Sequence, residues 1–271
     1  MNSNHLVGVY VVHYTKLKER KNYLVSVLAE QRINPYWVTE KNYIDYKKET
    51  PINGKILGVN EKLVGMDLGI NSRSLTRSRR KARLEGYLLF LRSYLSRSNH
   101  YSTGSLPSRK VLGNAWLELQ RMHLTALQHG AQSGSKWILI LEDDAIPISN
   151  SFNTIYEIAQ TIIPRNIWIN LNSGAGLSRT SSERKIDNFG LFRVKPAATR
   201  CAVAYLVSQD LAEKIVKSAV NEGIPDWLPI DCHLQVLLRK FNSKSYWIEP
   251  ELFKQGSESG LFDSRFENLR K

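Results

Sequence analysis

The chain has few of the features that would place it among secreted, disulfide-bonded or membrane-spanning proteins. Its 271 residues include 2 cysteines, Cys201 and Cys232, which form neither a disulfide framework nor the spacing of a zinc site. No apolar run approaches the length needed to cross a bilayer. Residues 1–5 lack the basic and apolar regions of a signal peptide. The sequence therefore predicts a cytoplasmic protein whose two cysteines are small packing residues.

The balance of charge is strongly basic. The 38 Lys and Arg against 25 Asp and Glu give a formal net charge of +13, which favours contact with nucleic acid, an anionic membrane face or a phosphate-bearing substrate. Much of the excess lies between Arg73 and Arg83. A solvated surface segment is the commoner explanation of such a run, so the charge alone does not select a partner.

The apolar pattern predicts a single α/β domain over residues 1–271. A hydrophobic fraction of 42% supports a packed core. A strand over 6–12, a helix beginning at Lys18 and a strand over 36–39 form a βαβ unit. Such a unit predicts a mostly parallel central sheet with right-handed crossovers, flanked by helices.

The rest of the chain continues this pattern after an irregular and partly helical insertion over about 41–108, which includes an amphipathic helix over 84–95. The later elements predicted from periodicity and cap residues are a helix over 111–129 capped by Gly130, a strand over 137–141, a helix over 152–162, a strand over 167–171, a polar loop over 172–188, a strand over 202–207, a helix over 211–220, a helix over 234–239 capped by Asp231, and a strand over 246–248.

The most informative stretch is the buried strand at 137–141, because it runs directly into Glu142, Asp143 and Asp144. Three adjacent carboxylates repel one another and resist desolvation, so they need positive charge nearby. A divalent cation is the simplest source, since such ions take carboxylate oxygens as ligands. The carboxyl ends of strands are also where open α/β sheets bind their ligands. A solvated acidic turn is the alternative, and this stretch alone does not separate the two.

Several stretches, taken in order, resemble glycosyltransferase family 25, which includes bacterial lipooligosaccharide galactosyltransferases and procollagen galactosyltransferases. The match runs from about Val7 to Gln255, although residues 41–108 resemble no part of it. It departs from the family at His13, where Asn is usual, and the "lSH" signature expected on the helix before the acids is not cleanly present. The stretches that carry the resemblance are 9–13 followed by Arg20, 129–130 with 138–144, 201–208 followed by Ala212, and 229–231 with 249–255.

The resemblance implies a GT-A-like α/β fold and metal-assisted, inverting transfer of galactose or a related hexose. The donor would be a nucleotide sugar, UDP-linked, and the acceptor a glycan such as lipopolysaccharide. Charge builds on the departing diphosphate in such a reaction, and Mn²⁺ or Mg²⁺ would neutralise it. Asp144 is the first candidate for a metal ligand, with Glu142 or Asp143 assisting.

The same resemblance assigns roles to residues far from the acids. Asp231 becomes the candidate general base for the acceptor hydroxyl, and a helix N-cap is its alternative role. His13 and Arg20 become candidates for contact with the donor, because Arg suits bidentate binding of phosphate. An exposed helix Arg is the commoner case. Lys254 and Gln255, with Ser257 beyond them, would reach the donor from the tail, for which a plain surface segment is the alternative.

Other function classes explain parts of the sequence. A nucleic-acid-binding protein would account for the basic charge, but no recognisable binding motif is present and the charge is not interleaved with aromatics. A phosphohydrolase would use the same acids but usually needs more metal ligands. A glycosyltransferase-like protein without turnover is a further alternative. For the enzyme, we expect peripheral contact with an anionic membrane, testable with anionic vesicles, and no nucleic-acid partner.

Overall fold

In the computed structural model of the chain, the described residues are 6–47, 109–173, 189–194, 197–225 and 229–263, and the side chains of 109–115 are not described. The predicted helix over 84–95, the basic run from Arg73 to Arg83 and most of the polar loop over 172–188 lie outside these residues. The part of the chain that the structure describes contains every residue predicted for the site.

Strands and helices alternate along the described residues, as the pattern predicts for an α/β domain. The strands are β1 (Val7–His13), β2 (Tyr36–Thr39), β3 (Trp137–Glu142), β4 (Ala145–Pro147), β5 (Ile167–Asn170), β6 (Leu191–Val194), β7 (Ala204–Ser208), β8 (Lys244–Ile248) and β9 (Phe253–Gln255), and the helices are α1 (Lys18–Glu30), α2 (Arg109–Gln132), α3 (Ser151–Thr161), α4 (Gln209–Glu222) and α5 (Ile230–Lys240).

Seven strands form the central sheet, in the order β2-β1-β3-β7-β5-β8-β6. β1 pairs in parallel with both β2 and β3, and β5 pairs in parallel with β8. β7 and β6 run antiparallel to their neighbours, so five strands share one direction and the sheet is mixed but mostly parallel. A second, two-stranded sheet pairs β4 with β9, placing Ala145 opposite Gln255.

Both faces of the central sheet are covered by helices. Along β3, Ile138 and Ile140 pack with α2, α4 and α5, whereas Leu139 and Leu141 pack with α1 and α3 on the other face. This division follows from the alternation of side chains along a strand. None of the described helices is long and apolar enough to cross a membrane.

The predicted end of α2 is wrong, and the reason is packing. The helix continues to Gln132, so Gly130 lies inside it and is not its cap. A Cβ atom at Gly130 would lie 2.6 Å from Cγ2 of Ile138, which means that the helix approaches β3 too closely for a larger residue. Gly134, with φ of +80°, follows the end of the helix in the left-handed region that favours glycine.

We expect Gly130→Ala to lower the free energy of unfolding by about 2 kcal/mol, because the added methyl group overpacks a filled contact. Urea unfolding monitored by circular dichroism would measure the change. The double variant with Ile138→Val should recover part of the loss, since valine lacks the Cδ1 atom that would lie 2.9 Å from the new methyl. A Gly130→Ala protein as stable as the wild type would show that the helix moves away without cost.

The predicted start of the last helix is also wrong. α5 begins at Ile230 and Pro229 occupies the N-cap position, so Asp231 lies within the first turn and does not cap the helix. Proline suits a helix entry because its missing N–H would have no partner there. A carboxylate in the first turn still lies close to the positive end of the helix dipole. The role of Asp231 therefore cannot be explained as an N-cap.

Candidate active site at the carboxyl end of strand β3

The three consecutive acids lie in three different environments. Glu142 ends β3 on the face covered by α2, where its Oε1 lies 3.2 Å from Nε2 of His123. Asp143 turns to the opposite face, which carries α1, and contacts Arg20. Asp144 completes the two-residue turn between β3 and β4, and its backbone carbonyl accepts a hydrogen bond from Gly256, the residue after β9. Like charges that are adjacent in sequence are thereby distributed among separate partners.

Asp143 ties β1, β3 and α1 together. Its Oδ1 accepts a hydrogen bond of 3.0 Å from Nη1 of Arg20. Its Oδ2 lies 2.9 Å from Nδ1 of His13 and accepts the backbone N–H of Tyr14 at 3.2 Å. His13, Arg20 and Asp143 are all buried. The carboxylate is thus occupied on both oxygens, and it fixes the loop that follows β1.

Arg20 is a buried cation and not the exposed helix residue that was the commoner expectation; it is 7% exposed. Besides Asp143, its Nη1 lies 3.5 Å from Oδ2 of Asp144. Its Nη2 donates a hydrogen bond to the backbone carbonyl of Asp263, and its guanidinium lies 5.6 Å from the centre of the Phe262 ring. One arginine therefore links two of the acids to the C-terminal segment.

Asp144 has one carboxylate oxygen that hydrogen-bonds within the described residues and one that does not. Its Oδ2 accepts a hydrogen bond of 2.7 Å from the Ser257 hydroxyl, and its backbone carbonyl accepts one of 2.7 Å from the N–H of Gly256. Its Oδ1 is buried, and none of the described residues forms a hydrogen bond with it. Burial raises the pKa of Asp144 to about 6, and the charge of Glu142 adds to the rise. An unpartnered buried carboxylate oxygen is unusual and indicates a ligand site.

Sequence reasoning missed His123, which reaches the site from α2. It is fully buried, and its Nδ1 lies 3.0 Å from the hydroxyl of Tyr205. The Tyr205 ring stacks on Trp168 with centroids 4.1 Å apart. Burial, followed by the charge of Glu142, raises the pKa of Tyr205 well above its ordinary value, so the hydroxyl keeps its proton. A histidine on the buried face of the helix where the family signature is expected was the available signal.

Asp231 and Gln255 approach the same edge from the C-terminal half of the chain. Burial raises the pKa of Asp231; a hydrogen bond from the Cys232 backbone opposes the rise, and the charge of Glu142 adds to it. Gln255 Oε1 lies 3.9 Å from Sγ of Cys201, whose own pKa is raised by burial and then by Glu142. Lys254, the neighbour of Gln255 on β9, has an exposed side chain.

The structure therefore brings most of the predicted residues together. His13, Arg20 and Asp143 share one hydrogen-bonded network, and Arg20 joins Asp144 to it through an ion pair of 3.5 Å. Glu142 precedes Asp143 in the sequence, and its charge contributes to the raised pKa of Asp231. No protein-family model and no curated protein matches the chain.

The chemistry of the acids fits a divalent cation that also binds its substrate. Asp144 offers an unpartnered oxygen, and a cation would relieve its repulsion by Glu142. Among the described residues, no group of three or more His, Cys, Asp and Glu side chains is arranged to hold a metal alone. Mg²⁺-type ions are often bound by one or two carboxylates together with substrate phosphates. The donor set therefore fits a cation that is completed by a diphosphate.

Proposed function

We propose that the protein is a metal-dependent glycosyltransferase of GT-A-like fold. It would move a hexose from a nucleotide-sugar donor, UDP-linked, to a glycan acceptor such as lipopolysaccharide. The observation that carries the proposal is Asp144, a buried carboxylate just after the carboxyl end of a central strand, with one oxygen that has no partner among the described residues. The resemblance to glycosyltransferase family 25 supports glycosyl transfer over other reactions of metal-bound diphosphates.

Two carboxylates have the position to hold the cation. Asp144 and Glu142 would bind Mn²⁺ or Mg²⁺, which when bound supplies positive charge against the departing diphosphate. Arg20 and His13 support this part of the site through Asp143, because they fix its carboxylate and with it the loop after β1. In this proposal the first role of Arg20 and His13 is to hold the acids in place, and a contact with the donor would be additional to their hydrogen bonds with Asp143.

Asp231 is the proposed general base of the inverting displacement. Its raised pKa suits a group that takes a proton from the acceptor hydroxyl near neutral pH. Its place in the first turn of α5 fixes its backbone, and the alternative role as N-cap is contradicted by the start of that helix. The charge of Glu142 contributes to the raised pKa of Asp231, which supports placing the proposed base and the proposed metal ligand in one site.

A nucleotide-release assay tests the function directly. UDP-, GDP- and CMP-sugars are incubated with the full chain, with and without Mn²⁺, and the released nucleotide is quantified. We expect release from UDP-sugars that depends on Mn²⁺ and stops on chelation. Release that is absent for every donor, with glycan acceptors present, would reject the proposal. Salt-dependent binding of nucleic acid instead would favour the alternative based on charge.

Asp231→Asn is expected to lower kcat by about 10²–10⁴-fold, the usual contribution of a general base, while donor affinity stays near that of the wild type. Steady-state kinetics and UDP binding by calorimetry would measure the two effects separately. Asp210→Asn is the matched control, because Asp210 is likewise the second residue of its helix. Near-normal turnover of Asp231→Asn would show that Asp231 is not the base.

A further inference from the structure

Beneath Glu142 lies a chain of buried polar groups that the proposed reaction does not yet use. Oε1 of Glu142 is 3.2 Å from Nε2 of His123, and Nδ1 of His123 is 3.0 Å from the hydroxyl of Tyr205. His123 and Tyr205 are fully buried, whereas the Glu142 side chain is 20% exposed. The chain thus runs from the core to a carboxylate that opens on the site.

The two hydrogen bonds determine which nitrogen of His123 carries the proton. An ionised carboxylate only accepts hydrogen bonds, so the short contact to Glu142 requires a proton on Nε2. In the neutral ring Nδ1 is then an acceptor, and the Tyr205 hydroxyl donates to it. Tyr205 is in turn held by its stacking on Trp168, whose Nε1 donates to Oδ1 of Asn170 at 2.9 Å. Each member of the chain orients the next.

Such a chain is more than packing requires. A leucine would fill the position of His123 among the apolar residues of α2 without burying two polar nitrogens, which need partners to avoid a loss of stability. Histidine and tyrosine at these places make sense if the direction of the Glu142 carboxylate matters. Groups that hydrogen-bond to metal-binding carboxylates commonly set their orientation, and their loss typically lowers metal affinity 10–100-fold.

We infer that His123, whose Nε2 donates to Glu142 and whose Nδ1 is held by the Tyr205 hydroxyl, is a positioning residue that orients Glu142 toward a divalent cation shared with Asp144. The inference rests on the proposed function only for the presence of the cation. It concerns residues on α2 and β7, 19 and 63 positions away from Glu142 along the sequence, neither of which was assigned a role from the sequence. It does not depend on which sugar is transferred.

The test measures Mn²⁺ binding to the full chain in the presence of UDP, by the loss of the electron paramagnetic resonance signal of free Mn²⁺. We expect His123→Leu to weaken binding 10–100-fold. His123→Gln should lose less, because its amide nitrogen can reach the position of Nε2 and still donate to Glu142. His129→Leu is the matched control: it is the same substitution on the same helix, and the His129 ring contacts Tyr36 and not the acids.

A second readout needs neither metal nor activity. Nitrogen chemical shifts of metal-free protein labelled with ¹⁵N-histidine report the tautomer of His123, and we expect a proton on Nε2 alone. Tyr205→Phe keeps the stacked ring and removes only the hydroxyl, so it should change the chemical shift of Nδ1, which loses its donor, and weaken Mn²⁺ binding even if His123→Leu fails to fold.

The outcomes separate this inference from the proposed function. Mn²⁺ binding that weakens in His123→Leu and Tyr205→Phe, but not in His129→Leu, supports it even if no nucleotide sugar is turned over. Unchanged Mn²⁺ binding in both variants, or a proton on Nδ1 in the wild type, overturns it. Wild-type protein that releases UDP without binding Mn²⁺ would also overturn it, and would leave glycosyl transfer standing.

Discussion

Asp144→Asn is expected to abolish metal-dependent turnover and yet to raise the free energy of unfolding of the metal-free protein above pH 6. The pKa of Asp144 is raised from 3.8 to about 6, first by burial and then by Glu142. A raised carboxyl pKa means that the folded state favours the protonated acid. Its stabilising contribution is complete below about pH 4 and is lost as the pH rises through 6. Asparagine cannot ionise and therefore avoids this loss.

The size of the effect follows from the shift of about 2 units, which corresponds to about 3 kcal/mol. Part of it is offset, because the asparagine amide also lacks a partner at the position of the unsatisfied Oδ1, and such a group costs about 1–3 kcal/mol. A net gain of up to about 2 kcal/mol at pH 7.5 is the expected result, turning into a loss of about 1–3 kcal/mol at pH 4, where only the cost of the unpaired amide remains. Urea unfolding across this pH range in the presence of a chelator would measure it.

An exposed aspartate serves as the control for this test, and added Mn²⁺ provides a second measurement. Asp45→Asn removes a carboxylate whose side chain is 78% exposed, so it should show no gain of this kind. Added Mn²⁺ with UDP should raise the Tm of the wild type, because a ligand that binds only the folded state stabilises it, and should leave Asp144→Asn unchanged. An Asp144→Asn protein that is less stable than the wild type at pH 7.5, or that still binds Mn²⁺, would contradict this account of the site.

The sequence predicted the fold wherever apolar residues set the pattern locally. Six strands were predicted, and each begins and ends within two residues of its predicted bounds: β1, β2, β3, β5, β7 and β8. The same holds for helices α3 and α4 and for the start of α1, whose end was not predicted. β4 and β9 were missed because three residues leave too little periodicity to recognise, and β6 was missed because its four residues include the charged Arg193. Their pairing is also distant in sequence: Ala145 lies opposite Gln255, and no local pattern reports such a contact.

The candidate site was likewise predicted where its residues are adjacent in sequence and missed where they are distant. Three acids at the end of an apolar strand are visible in the sequence because they are adjacent, and burial of a charge demands a partner. The identity of that partner is not visible, because Arg20 lies 123 positions from Asp143. The end of α2 was predicted wrongly for a related reason. Gly130 follows a helical pattern and so resembles a cap, but the glycine is explained by Ile138, which leaves no room for a Cβ atom.

The second large effect is expected at Arg20. Arg20→Gln removes the cation that contacts Asp143 and Asp144, and it leaves Asp143 buried with His13 and a backbone N–H. Breaking a buried ion pair from one side typically costs 3–5 kcal/mol, because the remaining charge is uncompensated. We expect a loss of about that size in urea unfolding. Lys18→Gln, an exposed position on the same helix, should change stability little.

The reason for the loss can be separated from simple removal of a side chain. If an uncompensated carboxylate is the cause, Asp143→Asn in the Arg20→Gln background should recover part of the stability, and the two substitutions will not be additive.

The C-terminal segment should loosen as well, since Arg20 binds the carbonyl of Asp263 and lies under Phe262, which packs against Gly256. Limited proteolysis would then cut this segment sooner in Arg20→Gln than in Lys18→Gln. Additive effects, with proteolysis unchanged, would show that the network does not join α1, the acids and the C-terminal segment as one unit. Because Ser257 of that segment also holds Asp144, its loosening would reach the proposed cation site, and Mn²⁺ binding should weaken together with the protection from protease.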